Sequence, residues 1–442
     1  TYVVSNPLSW MRDIAVTLPA GVKASALRDV ATGETVPAQA TGAGGLFFVA
    51  KNVLPMGYKT YALAGAAAPG PELLANAGDE YTWKTARFQF HIHPQNGGLD
   101  SIKDLATGKE WVDAASGRTL NQFVYVLGGN GTAMIHPNGA PVTNLVEYTH
   151  DAAKVTLAEN GPARAVLHIV RIGGSVSPVD TDLVIHADGT LDLVNVIDKK
   201  ETLEKEGGYF AFPFAPGAPD EDKAFLELPY GIVEADQEQP HGACREWYSV
   251  YSFAATSNAV ASAYVAAPDT PLFTVGDVNR GRWPGYLTGH RNVLYAYVFN
   301  NYWHTNYKAA QGGKIRCAFS VRLSDAPFDP VTATRFGWSR ALDLTPERSD
   351  TLASAAPAVP EASFLTLDDG PVVLGDLLPV EGGLLARLYN PSKVPAQTAL
   401  HGVPAKAMLE TDLFGENGTP LSLDAKVTVP ARGIVTLLLK RD

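Results

Sequence analysis

Between Asn300 and Lys308 the chain sets Tyr302, Trp303 and Tyr307 among Asn300, Asn301, Asn306 and His304, and closes the stretch with Gln311-Gly312-Gly313. A plain connection between paired strands needs roughly two to five residues, mostly polar. Flat aromatic faces suit the apolar side of a pyranose, and amides and an imidazole suit its hydroxyls. The same residues also fit a long loop that plugs a hole in a β-core. Just upstream, Asp277-Val278-Asn279-Arg280-Gly281-Arg282-Trp283-Pro284 sets two arginines beside an aromatic platform. Arginine clamps carboxylates or hydroxyls, and an internal Arg–Asp pair in a solvent-facing loop accounts for the same composition.

Two further groups have the right residue types. Glu234, Asp236 and Glu238 stand near His241 and are followed by Cys244-Arg245-Glu246-Trp247-Tyr248. Paired carboxylates serve glycoside hydrolysis when their separation is right, while acidic loop residues are ordinarily solvated. His91 and His93 fall on one face of a strand, but two ligands do not make a zinc site, and spacing marks no third. The sequence has no H-E-x-x-H, no G-x-S-x-G, no P-loop and no G-x-G-x-x-G leading into a helix.

These loops need strands to hold them. Val293, Tyr295, Tyr297 and Phe299 recur at period two, which places four large side chains on one face. Ile315, Cys317, Phe319, Val321 and Leu323 alternate with Lys314, Arg316, Ala318, Ser320 and Arg322, a strand with one buried face and one mostly wet face. Ala165–Ile172 reads as another strand, and Leu183–His186 and Leu191–Val196 flank Asp188-Gly189, a hairpin signal. Tyr209 to Phe214 reads as buried on both sides. Helical character is confined to Thr332–Ala341, where Gly337 weakens it. The expected class is all-β: a small β-sandwich over 1–66, a linker over 67–80, a large antiparallel sandwich over 81–350 and a last small β-sandwich over 351–442.

With 442 residues, a hydrophobic class of 46% and 18% charged residues, the chain has enough apolar side chains for sizeable cores. Gly 41 and Pro 31 favour turns over long helices, and a net charge of −11 without a basic cluster argues against nucleic acid. No apolar run approaches the roughly 18 residues of a membrane helix. Cys244 and Cys317 are too few for a disulfide framework, and free thiols are expected, with a single bridge as the alternative. Thr1-Tyr2-Val3-Val4 starts inside a strand pattern, so a processed protein or the C-terminal piece of a longer one is expected. The compartment stays open, and so does a homo-oligomer.

The ordered motifs resemble the β-region that follows the catalytic portion of glycoside hydrolase family 38, the alpha-mannosidases. Asn6-Pro7-Leu8-Ser9-Trp10 with Arg12-Asp13 is similar to its opening, and Gly57-Tyr58-Lys59-Thr60-Tyr61 to a closing strand. Gly97-Gly98-Leu99-x-Ser101-Ile102 with Asn121-Gln122-Phe123 is similar to the start of the large sandwich. Phe210-Ala211-Phe212-Pro213-Phe214, Leu228-Pro229-Tyr230-Gly231, Gly276-Asp277-x-Asn279-Arg280-Gly281-Arg282-Trp283 and Asn300-Asn301-Tyr302-Trp303-His304-Thr305-Asn306-Tyr307 follow in the family's order, and Ile434-Val435-Thr436-Leu437 resembles its last strand. The resemblance implies a galactose-mutarotase-like supersandwich between two small β-domains. It implies retaining hydrolysis of terminal alpha-mannosides by a parent protein whose nucleophile and zinc ligands lie mainly in an N-terminal catalytic domain. This chain would then carry no catalytic residue and no metal. It would pack on that domain and lend Asn279, Arg280, Arg282, Trp283, Trp303, His304, Asn306 and Tyr307 to a carbohydrate-binding rim. Two other readings compete: a stand-alone carbohydrate-binding protein, and an epimerase or lyase pairing His241, His290 or His304 with a carboxylate.

Overall fold

The strand Val179–His186 buries Val179, Thr181 and Leu183 and exposes Asp180 and Asp182, the period-two signature of a sheet with one wet face. It belongs to a two-sheet sandwich seen in a computed structural model, whose described residues are 1–65, 70–129, 144–217, 221–278, 287, 290–302, 310–343, 351–352, 359–402 and 405–441. One sheet runs Leu145–Tyr148, Gln122–Gly128, Glu206–Pro213, Val293–Asn300, Leu272–Val275, Tyr248–Ser249. The other has nine strands, with Val179–His186, Leu191–Lys199, Gly313–Ser324 and Ser262–Ala266 side by side at its centre. Every neighbouring pair is antiparallel. The expected hairpin at Asp188-Gly189 joins two of them, with Gly189 in the left-handed region at φ 85°.

The core lies between the two sheets. Phe123, Phe210 and Phe212 face Leu183, Leu193, Phe319 and Val321, and Phe319 meets Phe210 and Phe212 edge-on at 5.5 and 5.1 Å. A four-stranded sheet formed by residues 75–104 adds Phe88, Phe90, Ile92 and Ile102. Arg171 is buried without a carboxylate partner among the described residues, its guanidinium donating to the carbonyls of Asn121 (2.8 Å) and Gly97 (3.0 Å). A Cβ on Gly97 would lie 2.7 Å from that guanidinium, which gives the Gly97-Gly98 motif a packing reason.

Two sequence expectations change here. Val293, Tyr295, Tyr297 and Phe299 do not share a face. A bulge opposite Gly208-Tyr209 leaves Val298 without a partner, so Phe299 turns into the core while the other three point outward. A Cβ on Gly208 would lie 2.5 Å from the Phe299 ring. The second face of Gly313–Ser324 is also not mostly wet, because Ala318 and Ser320 are buried. Ser320 donates to Asp192 (2.7 Å) and accepts from Arg340 (3.0 Å).

Helix α1 spans Pro330–Asp343. Asp329 caps it, accepting from the Thr332 amide (2.8 Å) and hydroxyl (2.6 Å), and proline occupies the first turn. Gly337 admits the helix against the sheet, where a Cβ would lie 2.4 Å from Ser252 Oγ. The chain then returns to the N-terminal sheet, where Thr351–Leu352 pairs with Tyr2–Asn6 and Glu361–Ser363 with Gly57–Ala64. Its last part forms a five-stranded sheet around Val373–Val380, Gly383–Asn390 and Gly433–Lys440. Cys317 is buried and Cys244 half-buried, both free thiols, and burial pushes the Cys317 thiol up to about 12.

Candidate functional site

The outer face of the six-stranded sheet is built from alternate residues of its strands. Val124 and Val126 come from Gln122–Gly128, Tyr209 and Ala211 from Glu206–Pro213, and Val293, Tyr295 and Tyr297 from Val293–Asn300. Tyr209 and Tyr297 stack at 4.3 Å with an interplanar angle of 8°, and Tyr295 meets Tyr209 edge-on at 6.5 Å. Burial raises the hydroxyl pKa of both Tyr209 and Tyr295.

Arg118 reaches this face from a short turn. Asp113 caps a 3-10 segment over Ala114–Ser116, Gly117 ends it at φ 70°, and Arg118 follows. Its Nη2 lies 2.5 Å from Glu147 Oε2 and its Nε donates to the Tyr295 hydroxyl at 3.3 Å. Burial opposes the charge on Arg118, but Tyr295 and Glu147 outweigh it, so its pKa rises. On the same face the Thr274 hydroxyl is buried and has no hydrogen-bond partner among the described residues. The rings are buried, and the partly exposed Arg118–Glu147 pair above them offers a donor and an acceptor of the kind that suits a hydroxylated ligand.

Both loops singled out from the sequence are rooted in this sheet. Val278, at the start of the first, packs in the outer-face cluster. Asn301, at the start of the second, is pinned inward: its Oδ1 accepts from the Glu206 amide (2.7 Å) and its Nδ2 donates to the Thr202 carbonyl (3.2 Å). Asn301 is therefore structural, and Tyr302 beside it is buried. The roots leave opposite ends of Val293–Asn300, a strand roughly 25 Å long at its rise per residue. Asn279, Arg280, Arg282, Trp283, Trp303, His304, Asn306 and Tyr307 all lie outside the described residues.

The acidic run is a set of ion pairs. Asp236 takes Arg245 (2.7 Å) and Arg291 (3.0 Å), Glu234 takes Lys223 (3.2 Å), and Glu238 takes Arg432 (2.7 Å). His91 bonds Asp100 at 2.5 Å, and His93 Nδ1 accepts from the amides of Gln95 and Asn96. Among the described residues no group of three or more His, Cys, Asp or Glu could hold a metal ion. His241 and His290 are exposed. Spacing did not mark the histidine–carboxylate pair His186 and Asp192, 2.7 Å apart, of which His186 lines a 260 Å³ cavity. Arg340 grips the same Asp192 oxygen, so the pair is part of a buried ion network.

No protein-family model matches the sequence, and no curated protein matches it. Solved structures do. An alpha-mannosidase from Enterococcus faecalis V583 superposes with a TM-score of 0.70 at 15% identity, over 99% of this chain and 56% of that one. It shares this fold. A protein in glycosyl hydrolase family 38 from Enterococcus faecalis gives a TM-score of 0.68 at 14% identity, over 99% of this chain and 58% of that one. The chain thus spans a little over half the length of each.

Sequence reasoning missed Arg118 and Glu147. Each is a lone charged residue in its stretch, and only the pairing of Gln122–Gly128 with Leu145–Tyr148 brings them together.

Proposed function

We propose that this chain is the non-catalytic C-terminal portion of an alpha-mannosidase-like glycoside hydrolase, packing on the catalytic domain and contributing to its carbohydrate-binding rim. The observation that carries this reading is the near-complete superposition of the chain on a little over half of each alpha-mannosidase-type chain. The outer face of the six-stranded sheet supports the carbohydrate role, since it sets the partly exposed Arg118–Glu147 pair over a buried aromatic layer between the roots of both loops. Any zinc of such an enzyme would belong to the catalytic portion.

The test is the intact mass of the natural protein, with peptide mapping upstream of Thr1. A polypeptide extending upstream by a domain, or co-purifying with one, is expected, and mannoside hydrolysis should appear only in that assembly. A natural chain beginning at Thr1 with no such partner overturns the reading. In the assembly, Arg118→Met should raise KM for a mannoside about tenfold with little change in kcat, the loss of one charge-assisted hydrogen bond.

A further inference from the structure

Three motifs that the outer face does not use converge at one place. The Asn6–Trp10 turn, the hairpin turn at Pro229-Tyr230 and helix α1 meet the five-stranded C-terminal sheet around a cavity of about 380 Å³. This lies at the lower end of small-molecule pockets, which run from about 300 to 1,000 Å³. Its walls include Leu8, Tyr230, Tyr251, Pro268, Trp338 and Asp376.

The polar equipment here is built. The strand Val373–Val380 carries a register shift between Leu374 and Asp376, so Gly375 is an extra residue, the kind of bulge that re-aims a side chain. It turns Asp376 to the cavity, and a Cβ at Gly375 would lie 2.4 Å from the Tyr230 ring. The Tyr230 hydroxyl donates to Asp376 Oδ2, and Arg387 Nη1 donates to the same oxygen at 3.1 Å. Asp376 Oδ1 accepts no hydrogen bond among the described residues, on a side chain 36% exposed. Tyr251 stands at the mouth, 59% exposed. Beneath the cavity, Glu227 accepts from Ser252 Oγ and from Trp338 Nε1 (2.7 Å), which fixes the indole plane.

We propose that this cavity binds a neutral pyranose ring, lying against Tyr251 and Trp338 and donating a hydroxyl to Asp376. The charge inventory selects a neutral ligand. Asp376 is matched by Arg387, and Glu227 stays off the cavity wall with its oxygens taken by Ser252 and Trp338, so no uncompensated charge is held out to an ion. The lining selects a sugar over a wholly apolar molecule, which would desolvate Asp376 Oδ1 and give it no hydrogen bond. A pyranose brings both a C–H face for the aromatic rings and hydroxyl donors for the carboxylate. The site is separate from the tyrosine face and does not rest on the hydrolase reading.

The test titrates the whole chain with methyl α-D-mannopyranoside, methyl β-D-galactopyranoside and methyl β-D-glucopyranoside, followed by saturation-transfer NMR and calorimetry. Benzyltrimethylammonium serves as the cationic probe and cyclohexanol as the apolar one. Saturable binding of at least one pyranoside is expected. Tyr251→Ala and Asp376→Asn should each weaken it about tenfold, the scale of one ring contact or one hydrogen bond to a charged group, while Tyr295→Phe should leave it unchanged. Tyr251 is exposed enough for its variant to fold. No saturable binding of any pyranoside overturns the proposal. So does binding that survives both variants, binding that responds to Tyr295→Phe alone, or tighter binding of the ammonium or cyclohexanol.

Discussion

The two sheets of the central sandwich share one core, but the outer face of the nine-stranded sheet, where helix α1 does not cover it, and that of the six-stranded sheet differ. On the nine-stranded sheet, Val179–His186 alternates, and its outward Asp182 makes an exposed pair with His168 across the neighbouring strand. On the six-stranded sheet, every residue of Glu206–Pro213 is buried, and the outward Tyr209 is as buried as the inward Phe210. A face that needs only water is written in charges. A face of stacked, buried tyrosines under an arginine–glutamate pair is packed as a second apolar layer.

That contrast can be broken by comparing truncations. Phe319→Ala, in the shared core, should cost about 3–5 kcal/mol, read as a lower urea midpoint. Tyr297→Ala, on the six-stranded outer face, should cost nearly as much, about 3 kcal/mol, because its ring is buried and stacked. If it behaved as a surface change, the outer face would not be a packed layer.

Two buried titrating groups sharpen the contrast. His150, beside Phe123 of the six-stranded sheet, is held neutral by burial, its pKa lowered from 6.5 to about 4. Between those values the unfolded chain binds the proton and the folded chain does not. Stability is therefore full above pH 6.5 and falls as pH drops toward 4, by up to about 3 kcal/mol. Glu227, on the nine-stranded sheet, has the opposite sign. Burial raises it from 4.5 to about 7, so its destabilisation is complete above pH 7 and is relieved as pH falls toward 4.5. Glu227→Gln should raise stability at pH 8 by about 2 kcal/mol and have little effect at pH 5, whereas His150→Gln should flatten the acid limb; urea melts across pH 4–8 read both. The smallest effect is expected at the exposed pair, where His168→Ala should shift stability by less than about 0.5 kcal/mol.

Much of the fold was legible in the residues. Alternation marked the strands, Asp188-Gly189 marked a hairpin, and the one α-helix among the described residues lies where the 332–341 pattern placed it. Gly337 reads as a flaw in isolation and as a contact surface once Ser252 lies against it. Of the site, the sequence pointed to the strands that root the two loops but not to the charged pair between them. Arg118 and Tyr295 are 177 positions apart, and neither sits in a pattern that names the other.

Local chemistry determined the class of this protein, because the period of a strand and the backbone demands of a turn are set by neighbouring residues. Tertiary structure alone decided what the faces carry. One unpartnered residue, Val298, sends Phe299 inward and leaves Tyr295 and Tyr297 outward. One extra residue, Gly375, aims Asp376 at Tyr230 from a different sheet. Such choices depend on strand register and on contacts between residues far apart in the chain, which no local pattern encodes.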